Sequence, residues 1–222
     1  MALAPTYAFV DLGARQGDTI RWFLKASQFK AQRPVALWAW EVEPRNLVAL
    51  NGTLRQMRAG LQKLNSTVAL INEAAWTEDG EKSFIRDTRA RLDATVPGGI
   101  RAKLVGGSLM KNPFNNASAT VRVRTTDFSA WLMANTRASD HVTVKMDIEG
   151  AEFAVLNKMV ADGSIHRVRT LIVEAHEWFF PVAEGGLATQ PEPKYTGSSR
   201  IWKDLSRKIH MASPKTKVTL WH

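Results

Sequence analysis

The chain has 222 residues, a length that fits a single domain with its own hydrophobic core. With 45% hydrophobic and 23% charged residues, and no apolar run near the roughly 20 residues of a membrane span, the composition predicts a soluble protein, cytoplasmic or otherwise intracellular. The lack of cysteine excludes disulfides, zinc–thiolate centres and thiol nucleophiles, while the formal net charge of +9 keeps nucleic acid open as an anionic partner.

The first half of the chain alternates strand-like apolar runs with segments of helical periodicity. Such alternation predicts a parallel sheet with helices on both faces. Pro44 opens the longer helix, a position where its missing N–H is not needed. The predicted strands cover residues 7–12, 35–41, 68–76 and 82–85, and the predicted helices cover 18–30 and the segment from Pro44, whose apolar stripe is Leu47, Leu50, Leu54, Met57 and Leu61.

The second half begins with a long segment, residues 86–119, that lacks periodicity and gathers glycine and proline. A segment of this length predicts a lid or an inserted element. The elements that follow are strands at 119–128, 141–148, 168–176 and 217–221, helices around Trp131, at 150–160 and at 201–209, and a loop at 183–199. Without internal repeats, residues 1–222 are interpreted as one α/β domain.

A glycine-bearing turn follows the first predicted strand, in the stretch "YAFVDLGARQGDTI". Gly13 and Gly17 allow the backbone to approach a ligand, and the helix that begins near Asp18 presents free N–H groups to it. The spacing G-x-x-x-G differs from a dinucleotide fingerprint, and carboxylates at Asp11 and Asp18 would repel a pyrophosphate. The pattern favours a cofactor with an ammonium group, such as S-adenosylmethionine, although glycine turns of this kind also occur in purely structural roles.

The second predicted strand ends at an acid, Glu41. A carboxylate at this point of an α/β sheet can accept hydrogen bonds from both ribose hydroxyls of an adenosine. Glu43 is a competing candidate, but it lies past the apolar run, and an acid at a strand end also occurs as a simple solvated cap. Together with the glycine turn, Glu41 favours an adenosine-containing cofactor.

Five segments carry a resemblance to a known family: "FVDLGARQGDT", "WAWEVEPRN", "AAWTEDG", "VRVRTTDFSAWL" and "VKMDIEGAEFAVL". Their order and spacing resemble the FkbM family of S-adenosylmethionine-dependent methyltransferases, from about residue 7 to residue 178. The resemblance implies a class I methyltransferase fold, which is a Rossmann-like α/β fold with a seven-stranded, mostly parallel sheet and helices on both faces. It also implies one antiparallel strand, with residues 217–221 in a C-terminal hairpin.

The resemblance further implies a set of cofactor-binding residues. They are the loop residues Asp11, Gly13, Ala14, Arg15, Gly17 and Asp18, then Glu41 and Val42, and finally Ala74, Ala75 and Trp76 along the adenine. Two positions depart from the family pattern, because Arg15 stands where asparagine is usual and Val42 replaces a proline. Arg15 either reaches the methionine carboxylate of the cofactor or faces solvent.

The chemistry is expected at the carboxyl ends of the strands at 141–148 and 168–176, beside the glycine turn. An acceptor hydroxyl must lose its proton, so a base or a metal has to assist. Either His176 or Lys145 acts as the general base, with Asp147 beside them, or Asp147, Glu174 and His176 hold Mg²⁺ or Mn²⁺. The alternative is structural, with Lys145, Asp147 and Glu152 as an internal ion-pair set. Residues 178–180, Trp-Phe-Phe, form either an acceptor wall or part of the core.

The favoured function is an O-methyltransferase that acts on a hydroxyl of a sugar, glycan or glycosylated metabolite, so the expected partner is a carbohydrate or glycosylated acceptor. The net charge supports an RNA methyltransferase as the alternative. Against RNA, no segment interleaves basic with aromatic residues, and "DIEG" stands where amino-methylating enzymes carry an N-P-P-[YF] motif. The third hypothesis is a non-catalytic cofactor-binding domain. The chain is expected to be either a compact free enzyme or one domain of a longer protein.

Overall fold

The structure is a computed structural model that describes residues 6–25, 34–86, 107–110, 119–188 and 197–221. In these ranges the strands are β1 (Tyr7–Leu12), β2 (Val35–Trp40), β3 (Thr67–Ile71), β4 (Ala74–Trp76), β5 (Gly80–Arg86), β6 (Gly107–Ser108), β7 (Ala119–Asp127), β8 (His141–Met146), β9 (Val168–Val173) and β10 (Lys217–Leu220). The α-helices are α1 (Asp18–Lys25), α2 (Pro44–Lys63), α3 (Phe128–Asn135), α4 (Glu152–Ala161) and α5 (Arg200–Ala212). Short 3₁₀ helices cover Ser164–Arg167, Glu177–Phe179 and Val182–Glu184.

The main sheet is parallel throughout, with the strand order β10-β9-β8-β1-β2-β3. From β1 the chain first builds outward to β3, and it later builds the other half from β8 to β10. The strand order therefore reverses between β1 and β8, which is where open α/β sheets bind their ligands. This arrangement confirms the predicted fold class.

Two details of the predicted sheet are wrong. The described residues form six strands in the main sheet instead of seven, and β10 runs parallel to β9 instead of forming an antiparallel hairpin. The reason lies in the connection, because α5 carries the chain back along the sheet before β10 begins. A crossover helix brings the next strand in parallel, whereas a hairpin requires a tight turn.

Helices cover both faces of the main sheet. On one face, Phe9 and Leu37 pack against Ile20 of α1 and against Leu50 and Leu54 of α2. On the other face, strand residues such as Val10 and Val144 pack against α3, α4 and α5, because neighbouring side chains along a strand point to opposite sides. The predicted stripe of α2 is confirmed, since its leucines at 50, 54 and 61 are buried. Pro44 opens α2 as predicted, with Glu43 as the N-cap residue.

A second, four-stranded sheet with the order β4-β7-β5-β6 stands beside the main one. The sequence predicts one strand at 68–76, and that prediction is wrong because the chain breaks after β3 and enters the second sheet as β4. There β4 pairs in parallel with β7, and β7 pairs antiparallel with β5. Apolar periodicity predicts extended backbone but carries no information about which neighbour a strand will pair with.

The two sheets are connected through Glu43, which is only 1% exposed. Arg86, at the end of β5, donates two hydrogen bonds to its carboxylate, at 2.7 and 3.1 Å. Arg45 donates a further side-chain bond of 2.8 Å from the first turn of α2. Glu43 thus holds the second sheet against the loop that follows β2.

Several predicted segments fall largely outside the described residues. They are the end of the first helix at 26–30, most of the 86–119 segment and part of the 183–199 loop. Within the part of the chain that is described, no helix is both long and apolar enough to cross a membrane.

Glu43 gives a prediction about acid stability. Burial favours the neutral form, but hydrogen bonds from Arg86 and Arg45 outweigh it and lower the pKa of Glu43 from 4.5 to about 2. A group with a lowered folded-state pKa contributes stability above its unfolded value, and this contribution is lost as the pH falls toward the folded value. We therefore expect the free energy of unfolding of the wild type to fall more steeply between about pH 4.5 and pH 2 than that of Glu43→Gln.

Urea denaturation across this pH window measures the effect. Glu81→Gln is the control, because Glu81 is 56% exposed and pairs with Arg122 at the surface. Its acid dependence should match the wild type. Equal slopes for Glu43→Gln and the wild type would contradict the role given to this carboxylate.

Gly13 gives a second stability prediction. Its φ is +79°, and a Cβ at this position would lie 1.9 Å from the carbonyl oxygen of Asp147, at the end of β8. We expect Gly13→Ala to lower the free energy of unfolding by at least about 2 kcal/mol, from the left-handed backbone and the clash together. In Gly60→Ala, the matched control within α2, the Cβ meets nothing within 4 Å. That variant should be neutral or more stable by up to about 1 kcal/mol. Similar losses in both variants would refute the close approach.

Candidate active site

The glycine turn is held tightly against the neighbouring strand. The backbone N–H groups of Gly13 and Ala14 both donate to the carbonyl of Trp40, at 3.1 and 2.8 Å. Gly13, Arg15 and Gly17 have φ values of 79°, 49° and 87°. A left-handed backbone is costly for arginine and better tolerated by asparagine, so Arg15 adopts this turn at a higher conformational cost than asparagine would. The Arg15 side chain is exposed, while its backbone takes part in the turn.

The two acids of the turn lie in opposite environments. Asp11 is fully buried, because it sits in the middle of the sheet opposite Lys145 in the β1–β8 register. The carboxylate of Asp18, at the start of α1, is 70% exposed and lies 3.9 Å from Arg21. Asp11 therefore lies beneath the turn with Lys145 as its partner, whereas Asp18 lies at the surface of the helix N-terminus.

Lys145 joins the glycine turn to the end of β8. Its ammonium donates to the carbonyl of Gly13 at 3.2 Å and to Oδ2 of Asp147 at 2.9 Å, and it lies 3.6 Å from Oδ1 of Asp11. Lys145 is only 2% exposed, and burial alone would lower its pKa, but Asp147 and Asp11 outweigh this and raise it. The ammonium stays protonated, so Lys145 lacks the lone pair that a general base needs.

Asp11 and Asp147 both interact with Lys145, but their pKa values shift in opposite directions. Burial raises the pKa of Asp11 to about 6, against the opposing effect of Lys145. Among the described residues, neither oxygen of Asp11 accepts a hydrogen bond within normal distance. For Asp147, Lys145 and His176 outweigh burial and lower the pKa. Asp147 is therefore the carboxylate of the pair that stays ionised most readily.

Glu41 lies directly against the glycine turn. Its Oε2 accepts from the backbone N–H of Arg15 at 2.9 Å and from the amide of Asn46 at 3.3 Å. Its Oε1 accepts from the backbone N–H groups of Val42 and Glu43, at 2.8 and 2.7 Å. Burial raises the pKa of Glu41, and these N–H donors oppose the shift. The competing acid, Glu43, is instead committed to two arginines, so Glu41 is the acid of the β2 end that contacts the turn.

The residues expected along the adenine lie at the start of the second sheet. Ala74 and Ala75 are buried in β4, and Val42 packs against the apolar cluster that contains Ala74 and Phe84. The structure thus brings Val42 and Ala74 together, although they are far apart in the sequence. The ring of Trp76 instead has the ammonium of Lys82 over it, 5.1 Å from the ring centroid.

A second cluster, which we call the acid–histidine cluster, consists of Asp147, Glu149, Glu152 and His176. His176 is 1% exposed, and its Nδ1 lies 2.8 Å from Oε1 of Glu152. Its Nε2 lies 3.4 Å from Oε2 of Glu149 and 3.7 Å from Oδ1 of Asp147. Burial disfavours a charged imidazole, but Glu152 and Glu149 outweigh it and raise the pKa of His176 to about 10.

The metal set expected from the sequence is only partly brought together. Among the described residues, ligand atoms of Asp147, Glu149 and His176 all lie within 4.8 Å of one another. Glu174 interacts with Asp147 through a side-chain hydrogen bond but is not one of this group. Glu152, expected beside Lys145, instead holds His176. Reasoning from the sequence assigns no role to Glu149, and the available signal was its place, two residues after Asp147 at the end of the strand.

The aromatic residues that follow His176 have different surroundings. Phe179 is buried beside Gly150, and Phe180 packs on Phe153 of the core. Trp178 is partly exposed, with its ring centroid 4.8 Å from that of His176. The core interpretation therefore fits the two phenylalanines, and Trp178 alone lies beside the acid–histidine cluster.

Residues 107–110, a described part of the 86–119 segment, contact the acid–histidine cluster. The hydroxyl of Ser108, in β6, donates to the backbone carbonyl of Glu149 and accepts from the N–H of Met110 at 2.8 Å. β6 itself pairs with β5 of the second sheet. Residues 107–110 therefore connect the second sheet to the acid–histidine cluster.

Comparisons with known proteins agree with this architecture. The methyltransferase FkbM domain model matches residues 11–190. Among solved structures, the chain is similar to the methyltransferase FkbM from Methylobacillus flagellatus KT, with a TM-score of 0.50, 16% sequence identity, and coverage of 96% of this chain and 39% of that chain. At this identity the similarity concerns the fold alone, and a comparison with curated proteins gives no match. Since the family model covers most of its length, the chain belongs to the FkbM methyltransferase family.

Proposed function

We propose that the chain is an S-adenosylmethionine-dependent O-methyltransferase that acts on a hydroxyl of a sugar, a glycan or a glycosylated metabolite. Membership of the family supports methyl transfer from this cofactor. The observation that carries the proposal is the contact between the glycine turn and the acid–histidine cluster. Gly13 lies directly against the carbonyl of Asp147, so a cofactor on the turn would place its methyl group beside the cluster. The chain spans only 39% of the length of the solved relative. The activity of the whole protein to which the chain corresponds is therefore also a proposal.

The cofactor site is proposed along the turn, with Glu41 at the ribose and the apolar surface of Val42 and Ala74 at the adenine. Glu41 already accepts four hydrogen bonds from protein N–H groups, so the ribose hydroxyls would share its oxygens with these donors. The same bonds fix the orientation of the carboxylate before a ligand arrives. Preorganisation of this kind lowers the entropic cost of binding.

The acceptor chemistry is proposed at the acid–histidine cluster. The acceptor oxygen attacks the methyl carbon, the carbon–sulfur bond breaks, and S-adenosylhomocysteine leaves as a neutral thioether. The hydroxyl proton must pass to a base or be lost to water as a bound metal lowers its pKa. The protonated Lys145 cannot accept this proton, and the surrounding carboxylates favour the charged form of His176 as well. A metal bound at Nε2 of His176 would displace the proton of that atom and would lower the pKa of the acceptor hydroxyl. Without a metal, His176 acts as the base only once it has lost its own proton. Trp178, partly exposed next to His176, is suited to stack against a sugar ring.

Local charge favours a sugar hydroxyl over RNA as the acceptor. The net charge of +9 belongs to the whole chain, whereas the cluster beside the turn is dominated by carboxylates, Asp147, Glu149 and Glu152 among them. Like charges repel, so a phosphate backbone is disfavoured at this position. A neutral polyhydroxyl compound meets no such repulsion.

The cofactor part of the proposal is tested by calorimetric titration with S-adenosylhomocysteine. We expect roughly micromolar binding by the wild type and at least tenfold weaker binding by Glu41→Ala, because the variant loses both the ribose acceptor and the support of the turn. Glu78→Ala is the control, since Glu78 is 67% exposed and pairs with Lys82 at the surface. Unchanged affinity in Glu41→Ala would remove Glu41 from the site.

The acceptor part is tested with labelled S-adenosylmethionine and two substrate panels, deoxysugar glycans and structured RNA. We expect label on the glycans alone, and a decrease of at least about 100-fold in His176→Asn with S-adenosylhomocysteine binding retained. Retained cofactor binding distinguishes lost chemistry from lost folding. Label on RNA, or full activity in His176→Asn, would overturn this assignment.

A further inference from the structure

The geometry points to a divalent metal site formed by Asp147, Glu149 and His176, suited to a metal such as Mn²⁺ in preference to Mg²⁺, with Glu152 as the residue that positions the histidine. This site uses Glu149 in place of Glu174, the ligand expected from the sequence. Its chemical purpose rests on the proposed function, because the metal would bind the acceptor hydroxyl. Metal binding itself can be measured without any methyl transfer.

The distances between the candidate ligand atoms match one shared ion. Two ligands that each lie about 2.1 Å from a metal, at angles between octahedral and tetrahedral values, are about 3.0–3.5 Å apart. Nε2 of His176 lies 3.4 Å from Oε2 of Glu149 and 3.7 Å from Oδ1 of Asp147. Small side-chain movements would bring all three atoms to bonding distance.

The histidine is oriented for this role by Glu152. Oε1 of Glu152 accepts from the backbone N–H of Ile148 at 2.7 Å, and Oε2 accepts from that of Gly150 at 2.9 Å. Held in this way, the carboxylate accepts a hydrogen bond from Nδ1–H of His176 and directs Nε2 toward Asp147 and Glu149. A carboxylate that fixes the tautomer of a ligating histidine is a recurrent feature of protein metal sites.

Asp147 directs its two oxygens toward two different side chains, Lys145 and His176. Oδ2 accepts the 2.9 Å hydrogen bond from Lys145, and Oδ1 is the oxygen that faces His176. Lys145 therefore anchors the carboxylate without blocking the oxygen that would bind the metal. The side chains of Asp147 and Glu149 are 27% and 36% exposed, which leaves one side of the site open to a substrate oxygen.

The charge of the surroundings is a separate reason to expect a cation. Among the described residues, two basic side chains, Lys145 and His176, lie within 4 Å of the carboxylates of four acids: Asp11, Asp147, Glu149 and Glu152. Excess negative charge inside a protein is costly unless a cation or protons compensate it. A divalent ion between Asp147 and Glu149 would supply that compensation.

The ligand set also indicates the class of metal. Mg²⁺ prefers an all-oxygen shell and gives up its waters reluctantly. An imidazole nitrogen combined with two carboxylates suits a transition metal such as Mn²⁺ better. A metal here would lower the pKa of the acceptor hydroxyl and hold its oxygen in place for attack.

The test is a titration of the metal-stripped, full chain with Mn²⁺, in which the electron paramagnetic resonance signal of free Mn²⁺ reports binding. We expect one Mn²⁺ per chain, and most of it should stay bound when Mg²⁺ is added at equal concentration. Absence of saturable one-to-one binding would overturn the inference. Ready displacement by Mg²⁺ would overturn the role of the histidine nitrogen.

Variants identify the ligands. Glu149→Gln should weaken Mn²⁺ binding at least about tenfold, and Glu152→Gln should weaken it about 10–100-fold through the histidine. Glu174→Gln should have a clearly smaller effect than Glu149→Gln, and Glu78→Gln, a surface control, should have none. A larger loss in Glu174→Gln than in Glu149→Gln would overturn the assignment. Because Glu149 is partly exposed, Glu149→Gln should fold normally, which circular dichroism checks.

The same samples separate this inference from the proposed function. Cofactor binding and methyl transfer that persist unchanged in the presence of a chelator would leave the methyltransferase proposal standing and overturn the role of the metal in activating the acceptor. One-to-one Mn²⁺ binding without any binding of S-adenosylhomocysteine would support the metal site and contradict the proposed function.

Discussion

The buried ammonium of Lys145 is the interaction on which the arrangement of the site depends. It lies between two acids and a backbone carbonyl, at the point where β1 and β8 end side by side. A buried lysine is stable only when its charge is compensated and its N–H groups are satisfied. Meeting that requirement fixes three things at once: the depth of Asp11, the closure of the glycine turn and the orientation of Asp147. The glycine turn and the acid–histidine cluster, the two halves of the proposed site, are therefore built around one cation.

The acids of the site differ in burial and in hydrogen-bond partners, and these differences separate their roles. Asp11 is buried with one partner, and its pKa rises to about 6, whereas Asp147 keeps a lowered pKa because Lys145 and His176 both act on it. Burial also raises the pKa of Glu149, to about 7, despite the opposing effect of His176. Glu41 is occupied by backbone donors and Glu43 by arginines. These carboxylates are chemically alike, and only their surroundings assign one to the turn, one to the second sheet and others to the acid–histidine cluster.

The second sheet contributes to the site as well as to the fold. It supplies Arg86 to Glu43, and β6, which pairs with β5 at Arg86, brings Ser108 to the backbone of Glu149. Both contacts lie close to the proposed ligands, one beside the loop of Glu41 and the other at the acid–histidine cluster. The part of the chain that differs most from the expected strand pattern thus helps to position both halves of the site.

The sequence by itself determined the α/β class, the glycine turn, the start of α2 and the proximity of Lys145 to Asp147. These features depend on local information: glycine at left-handed positions, proline at a helix start, apolar periodicity, and side chains two residues apart on one strand face. Tertiary structure alone decided the break between β3 and β4, the parallel direction of β10, and the pairing of His176 with Glu149 and Glu152. Those outcomes depend on which segments meet in space, because hydrogen bonds between strands and charge interactions between loops act over distances that a linear pattern does not record.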